Sequence, residues 1–358
     1  MSQRMTLSAV ALVFVATSTR AQDAPDEADI CFGGDIRRVT EAIAQVPGDQ
    51  RPQRLVQTLE CDSSDLSYWA AVTLARNGHG ALLDEPLKAL STWTDLQKRG
   101  LLQELQIAND FPNAARFARV FIKAADGPCE RDGSIGCALD VAASTLAIGG
   151  NVSDAPAVLQ ALQIDSNSPA LWIAAVRLGA LDSSWKARAK KLASDPVRPE
   201  LLRMAAGLAS GSAEASEGLI ERVDELTQSF ASRPNAVPES DARSLMHNPD
   251  YVGDLQIIGL TRFLPEDRAL PLLGKCAASP DSNLRMFAGL IVSQQWPQSL
   301  EAVMNSLSSE EQSAVLGLST STVGTTRAKV TTGGSRTKSS VETENRLRNV
   351  AAAATFLW

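Results

Sequence analysis

The chain has 358 residues, with 34 lysines and arginines against 41 aspartates and glutamates, and its formal net charge at pH 7 is −7. Hydrophobic residues make up 44% of the chain, which is enough for a packed core. The acidic balance argues against a nucleic acid or an anionic membrane as the partner of the whole surface.

Residues 1–21 have the pattern of a secretory signal peptide. Arg4 supplies the charged start, residues 7–16 are apolar, and residues 19–21 offer a small-residue cleavage site. A membrane-spanning helix needs about 20 apolar residues, and neither this stretch nor any later one is long enough. Cleavage would remove Arg4 and Arg20 and no acid, so the net charge would go from −7 to −9. The sequence therefore predicts a soluble chain that is periplasmic or secreted.

Five cysteines in an exported chain indicate disulfides. Cys31 and Cys61 flank one predicted helix, and Cys129 and Cys137 bracket the short segment "CERDGSIGC". We therefore predict the disulfides Cys31–Cys61 and Cys129–Cys137, and we expect Cys276 to be a small buried thiol. The sequence contains no CxxC motif, so thiol catalysis and a zinc site have little support.

Helical signals recur along the chain about every 30 residues. Apolar residues fall at offsets +6, +9, +10 and +13 after both Asp165 and Asp195, and these offsets lie on one face of an α-helix. A weaker copy follows Asp132, another surrounds Trp69, and a copy with a shorter turn follows Asp281. This periodicity is typical of an array of helical repeats.

The alignment on aspartate predicts which residues of two copies are buried. A second alignment competes with it, because "LRMAAGL" from Leu202 and "LRMFAGL" from Leu284 differ at only one position. The second alignment shifts the predicted buried positions by one residue. The sequence therefore does not decide which of the two adjacent sets of residues faces the core. The residues predicted to be buried by the first alignment are Leu171, Ala174, Ala175, Leu178, Leu201, Met204, Ala205 and Leu208.

The segment "ALPLLGKCAASPDSNLRMFAGLIV" resembles a HEAT-type repeat. Such a repeat has an apolar helix, a turn with Pro and Asp, and a second helix that opens with an apolar–Arg pair and an Ala. The matching residues are Pro280, Asp281, Leu284, Arg285 and Ala288 here, and Leu202, Arg203 and Ala206 in segment 184–210. Segment 154–181 departs from the pattern, with Ile173 in place of the arginine. The resemblance covers about 130–310 and implies an α-solenoid of stacked helical hairpins, with tetratricopeptide-like pairing as the alternative.

Four regions follow from these patterns. Residues 1–21 are the signal peptide, 22–318 form the all-α solenoid, 319–341 form a flexible basic linker, and 342–358 form a C-terminal helix. The linker is rich in Ser, Thr and Gly and carries four cations without an acid. The terminal helix would need either the solenoid or a partner to bury its apolar face. The tail residues predicted to take part in recognition are Arg327, Lys329, Arg336, Lys338 and Trp358.

Few residues point to catalysis. His79 and His247 both lie among turn-forming residues, so we expect both in loops. Asp165 opens a segment like a calcium loop, but the required glycine and terminal glutamate are missing. We therefore assign no catalytic residue, metal ligand or cofactor. The grouped acids, which we interpret as solvated or capping residues, are Asp62, Asp65, Glu221, Asp224, Glu225, Glu310 and Glu311.

One predicted helix differs from the rest of the acidic chain in its charge. The segment "SSWKARAKK" carries Lys186, Arg188, Lys190 and Lys191 beside Trp185. These residues are a candidate contact face in which Trp185 would be an exposed anchor. A solvated charged face is the alternative.

The sequence thus predicts a secreted or periplasmic helical-repeat scaffold that binds a protein partner and is not an enzyme. A solenoid offers a long curved surface, which suits binding. Two alternatives remain: a helical cell-wall-directed enzyme or enzyme subdomain that uses a carboxylate pair, and a stoichiometric inhibitor of a secreted enzyme or toxin. Two carboxylates across a concave cleft would favour the enzyme, whereas an apolar or charged stripe would favour the scaffold.

Overall fold

A computed structural model of the chain is all-α over the residues that it describes. These are residues 31–83, 93–108, 110–129, 137–232 and 248–319, together with residues 343, 346, 347 and 350 near the C-terminus. The five ranges contain sixteen α-helices and no strand, and the four C-terminal residues are also helical. The predicted all-α class is therefore confirmed for this part of the chain.

Most helices follow one another closely in the chain. In the N-terminal half they are α1 (Ile36–Gln45), α2 (Arg51–Leu59), α3 (Ser64–Arg76), α4 (Asp95–Ile107), α5 (Phe111–Lys123), α6 (Ala138–Gly149), α7 (Ala155–Ile164) and α8 (Pro169–Arg177). They continue as α9 (Ser183–Ala193), α10 (Glu200–Ser210), α11 (Ala213–Ser232), α12 (Pro249–Gly259), α13 (Glu266–Ala277), α14 (Ser282–Gln295), α15 (Glu301–Met304) and α16 (Ser309–Ser319). Residues outside the described ranges lie between α3 and α4, between α5 and α6 and between α11 and α12. Among the described helices, none combines the length and the apolar character that a membrane span requires.

Polar side chains mark the start of many helices. Asp35, Ser63, Ser168, Asp182 and Asp281 each accept a hydrogen bond from a backbone N–H in the first turn of α1, α3, α8, α9 and α14. Each cap satisfies a donor that the helix itself leaves unbonded and contributes about 1 kcal/mol. The Asp and Ser residues between the apolar runs of the sequence are therefore helix starts.

Each helix packs against helices that are near it in the chain. Helix α6 packs against α4 and α5, α8 against α6 and α7, and α10 against α8 and α9. In the C-terminal half, α13 packs against α14, and α14 against α16. Alternate helices α4, α6, α8 and α10 therefore form a row of successive contacts. Their buried apolar side chains belong to one hydrophobic core that extends through all these helices.

Segment 266–295 forms the helical hairpin that the HEAT-like pattern predicted. Helix α13 ends at Ala277, Ser279 and Pro280 lie in the turn, and the Asp281 carboxylate accepts the Leu284 N–H at 2.9 Å to start α14. Helix α14 is buried on most sides, because α13, α16 and the C-terminal residues all cover it.

The buried face of α10 settles which of the two alignments is right. The alignment on aspartate is correct for α8, where its four core residues are at most 4% exposed. It is wrong by one residue for α10, in which Leu201 and Leu208 are only half-buried. Asp165 precedes the start of α8 by four residues, whereas Asp195 precedes the start of α10 by five, so the turn is one residue longer. The buried residues of α10 are Leu202, Ala205, Ala206 and Ala209.

Both predicted cysteine pairs lie at disulfide distance. The Cα atoms are 5.7 Å apart in Cys31–Cys61 and 6.2 Å apart in Cys129–Cys137. Cys276 is buried in α13, with its Sγ atom 3.3 Å from the Thr227 hydroxyl oxygen. Burial raises the pKa of the Cys276 thiol to about 11, so this thiol is protonated and unreactive at neutral pH.

Candidate functional site

Helix α9 carries the cations that the sequence analysis predicted as a contact face. Asp182 caps the start of the helix, and its last turn contains two lysines, which the negative end of the helix dipole favours. Lys186, Arg188, Lys190 and Lys191 are all exposed. These four residues are called the basic face below.

Trp185 does not have the position that was predicted for it. Its side chain is only 8% exposed, and its ring meets the Trp172 ring edge-on, with the centroids 5.8 Å apart and the planes at 70°. The Arg188 guanidinium lies over the Trp185 ring, 4.4 Å from its centroid. The prediction of an exposed anchor is therefore wrong, because α8 supplies a second tryptophan that covers this side of α9. Trp185 instead holds Arg188 through a cation–π contact.

No residue of the basic face forms an ion pair with another described residue. The cations of α13 behave differently: Arg268 pairs with Glu217 and Lys275 with Asp224, each at 2.7 Å across to α11. Like charges three and four positions apart on a helix repel one another. The basic face therefore carries a repulsion that an anionic surface would relieve.

The grouped acids include several that make structural contacts. Asp62, Asp65, Glu221, Glu225 and Glu310 are exposed, but Asp65 and Glu225, like the less exposed Asp224 and Glu311, bond to neighbouring side chains. Carboxylates that are already bonded to neighbouring side chains are poor candidates for a general acid–base pair. The contacts are Asp65 with Gln97 at 3.0 Å, Asp224 with Lys275 at 2.7 Å, Glu225 with Arg222 at 3.1 Å, and Glu311 with Arg285 at 2.7 Å.

The disulfide Cys129–Cys137 is surrounded by buried acids. Asp165 is 2% exposed and accepts the Cys129 N–H at 3.3 Å, and Asp140 is fully buried and accepts the Cys137 N–H and the Ser168 hydroxyl. The two sulfurs and an Asp140 carboxylate oxygen lie within 4.8 Å of one another. Metal binding needs deprotonated thiolates, which a disulfide does not provide. These acids therefore hold the start of α6 in place.

The two histidines and the predicted tail residues do not form a site among the described residues. His79 is half-buried in the turn after α3. His247 and the tail residues Arg327, Lys329, Arg336, Lys338 and Trp358 lie outside the described residues.

A buried polar cluster at the start of α14 was missed by the sequence analysis. It consists of Tyr251, Asp281, Ser282 and Asn283, each at most 7% exposed, and is called the terminal seat below. The Tyr251 hydroxyl donates to Asp281 Oδ1 at 3.0 Å. Burial raises the pKa of Tyr251, and the nearby negative charge of Asp281 raises it further. The seat also contacts Arg346, which is more than sixty positions away in the sequence.

Searches of protein-family models, curated proteins and solved structures found no match to this chain. The structure itself therefore has to define the class of protein. Over the described residues it is an all-α protein whose helices pack against their neighbours in the sequence, with two disulfides.

Proposed function

We propose that the chain is an exported, HEAT-like α-solenoid that works as a scaffold in the periplasm or outside the cell. Its basic face binds an acidic surface of a protein partner. The signal-peptide pattern of residues 1–21 and the two disulfides support export, because disulfides persist in oxidising compartments. The row of alternate helices supports a solenoid, in which each hairpin contacts its neighbours.

Two glycines give further support for repeated units. Gly207 and Gly289 hold the same place in "LRMAAGL" and "LRMFAGL". A Cβ atom on Gly207 would lie 2.9 Å from the Ala215 Cβ atom, and one on Gly289 would lie 3.0 Å from Leu307 Cδ1. A Cβ atom at Gly207 would force Ala215 to shift, and one at Gly289 would press on the end of the Leu307 side chain. Both glycines thus lie where the chain that follows comes close to the helix, which supports repeated units without requiring identical contacts.

The basic face is the observation that carries the binding function. Its four cations are exposed on one helix and form no ion pair with a described residue, in a chain whose net charge is −7. Complementary charge speeds the encounter of two proteins and selects the partner. Arg188 is held over the Trp185 ring, so its guanidinium is ordered before a carboxylate arrives. An acidic protein segment is the partner that this chemistry fits.

Neutralisation of the basic face in the full chain tests this function. The variant combines Lys186→Gln, Arg188→Gln, Lys190→Gln and Lys191→Gln, and it is used as bait in the native envelope and secreted fractions. We expect the unmodified chain to recover an acidic protein that the variant does not recover. Because the contact is electrostatic and exposed, we also expect recovery to fall as the salt concentration rises.

A control variant removes the same charge from other helices. It combines Arg37→Gln, Arg38→Gln, Arg54→Gln and Lys123→Gln, which lie on α1, α2 and α5. This control should recover the partner as well as the unmodified chain does. Equal losses in both variants would mean that only net charge matters, and equal recovery by the basic-face variant and the unmodified chain would contradict the proposed function.

A further inference from the structure

The turn between α6 and α7 carries a sequence motif that the basic face does not involve. Asn151, Val152 and Ser153 form the one Asn-X-Ser/Thr triplet of the chain in which X is not proline. This triplet is the acceptor signal for N-linked sugars in exported proteins. Because three letters recur by chance, the local geometry has to decide whether this triplet suits that chemistry.

The turn presents the triplet to solvent and is anchored just behind it. All three residues are exposed, whereas the next residue, Asp154, is only 6% exposed. Asp154 Oδ2 accepts the Asn151 N–H at 2.9 Å, and Arg119 of α5 donates to the two oxygens of the same carboxylate at 2.7 and 3.0 Å. A bulky group on the Asn151 side chain would therefore extend into solvent without displacing a packed side chain.

The Asn151 side chain is held in one orientation by Ser153. Its Oδ1 atom accepts the Ser153 N–H at 2.9 Å and the Ser153 hydroxyl at 2.5 Å. An N–H can only donate, so the atom that faces it is the amide oxygen and not the amide nitrogen. The Nδ2 atom, to which a sugar would be joined, is left without a hydrogen bond to any described residue.

Helix capping explains only part of this arrangement. Asn151 is the N-cap of the short 3₁₀ turn Val152–Asp154, and its Oδ1 atom needs only the Ser153 N–H for that role. The hydroxyl at position 153 is not needed for the cap, but it polarises the amide. A donor on Oδ1 stabilises the negative charge that forms there when Nδ2 loses a proton. An amide nitrogen has to lose that proton before it can attack a sugar.

We propose that Asn151 is the attachment site of an N-linked sugar. Its Nδ2 atom forms a bond to the anomeric carbon of a sugar carried on a lipid pyrophosphate. The bond between that carbon and the pyrophosphate breaks, the pyrophosphate leaves with the electron pair, and the Nδ2 proton goes to a base of the transferase. The sugar covers the apolar Val152 side chain, which is 76% exposed. This inference rests on the export that is part of the proposed function, but not on the basic face.

Peptide mass spectrometry of the chain isolated from the native envelope and secreted fractions tests the attachment. We expect the peptide that contains Asn151 to carry the added mass of hexose or N-acetylhexosamine units. Fragmentation that keeps the sugar on the peptide should place it on Asn151. The peptide with Asn305 is the internal control, because Asn305 is also exposed but has Leu307 in place of the hydroxyl residue. It should be unmodified.

The N-terminal peptide of the same sample separates this inference from export. An unmodified Asn151 peptide in a chain that begins at Gln22 would overturn the sugar attachment and leave export standing. An unmodified Asn151 peptide in a chain that keeps residues 1–21 would overturn both.

Two variants of Ser153 test whether its hydroxyl makes Asn151 an acceptor. Ser153→Thr keeps the hydroxyl and should keep the sugar, whereas Ser153→Ala should lose the sugar although Asn151 is unchanged. The side chain at position 153 is exposed, so both variants should fold as the unmodified chain does, which thermal melts verify. Equal modification of Ser153→Ala and the unmodified chain would contradict the proposal.

Discussion

The hairpin of α9 and α10 and the hairpin of α13 and α14 share sequence letters but differ in their surroundings. Met286 and Leu290 of α14 are completely buried, whereas the equivalent Met204 and Leu208 of α10 are half-exposed. The difference follows from the elements around each helix, because α14 is contacted by α16 and by Arg346 of the C-terminal segment in addition to α13. The shared letters therefore set the contacts within a hairpin, and the neighbouring elements decide how much more is buried.

The charges of the two hairpins differ in the same way. Arg285 pairs with Glu311 at 2.7 Å and donates to two carbonyl oxygens of the turn before α14, whereas the equivalent Arg203 makes no ion pair with a described residue. The cations of α13 face acids of α11, but those of α9 do not face described acids. The cations of helices α13 and α14 thus form ion pairs within the protein, whereas those of helices α9 and α10 form none with described residues.

The largest effect should come from Phe287→Ala in α14. Phe287 is 1% exposed, and the loss of its ring leaves a cavity, so we expect the free energy of unfolding to fall by about 3–5 kcal/mol. Urea denaturation measures the change. Met204→Ala, at a half-exposed position of α10, should cost much less. If Phe287→Ala cost under about 1 kcal/mol, α14 would not be the covered helix that the comparison describes.

The second-largest effect should distinguish two adjacent leucines at the start of α10 by how much stability each contributes. Leu202 is 2% exposed and Leu201 is half-buried, so Leu202→Ala should cost about 2–5 kcal/mol and Leu201→Ala clearly less. Denaturant unfolding of both variants makes the comparison. A larger loss in Leu201→Ala than in Leu202→Ala would mean that the alignment on aspartate is right and that the positions of α10 and α14 are not equivalent.

The stability of the protein should depend on pH through the ion pair between Arg285 of α14 and Glu311 of α16. Burial alone would raise the pKa of Glu311, but hydrogen bonds from Arg285 and from the Ser308 N–H outweigh burial and lower it. A carboxyl whose folded-state pKa is lowered stabilises the fold fully above its unfolded value of about 4.5 and loses this contribution as the pH falls below it.

Glu311→Gln should therefore reduce the free energy of unfolding by about 1.5–3 kcal/mol at pH 7 and flatten its decline below about pH 4.5. Unfolding curves at pH 7, 5, 4 and 3 give both quantities. Glu310→Gln is the control, because Glu310 is exposed and should change stability by less than about 0.5 kcal/mol. An unchanged acid profile in Glu311→Gln would mean that this pair does not hold the hairpin.

The smallest effect concerns the lysines of the basic face. Because they are exposed and unpaired among the described residues, Lys186→Gln, Lys190→Gln and Lys191→Gln together should change the free energy of unfolding by less than about 0.5 kcal/mol. Thermal melts of the variant check this. A clear loss of stability would show that these lysines serve the fold, and their proposed availability to a partner would lose its basis.

Features set by local spacing were predicted from the sequence. The all-α class, the helix starts at Asp and Ser and the pairing of Cys31–Cys61 and Cys129–Cys137 depend on residues close in the chain. The phase of α10 was not settled, because one extra residue in a turn rotates the following helix by about 100° without changing its apolar pattern.

Features set by distant neighbours were not predicted. The position of Trp185 depends on Trp172 of α8, which the composition of α9 does not reveal. The terminal seat brings Tyr251 of α12 to the start of α14, and Arg346, which contacts it, lies 63 positions after Asn283, so no periodic pattern predicted either contact. The capping role of Asp281 was visible in the sequence, whereas its unpartnered oxygen became evident only once its neighbours were placed.

Site-specific photo-crosslinking tests the central claim most directly. A photoreactive amino acid replaces Lys190 on the basic face in one sample and Arg37 on α1 in a control, and both full chains are irradiated in the native envelope and secreted fractions. We predict a crosslinked protein at position 190, attached through a segment rich in Asp and Glu, and no such product at position 37. The same product at both positions, or a product at position 190 whose attached segment is not acidic, would contradict the account.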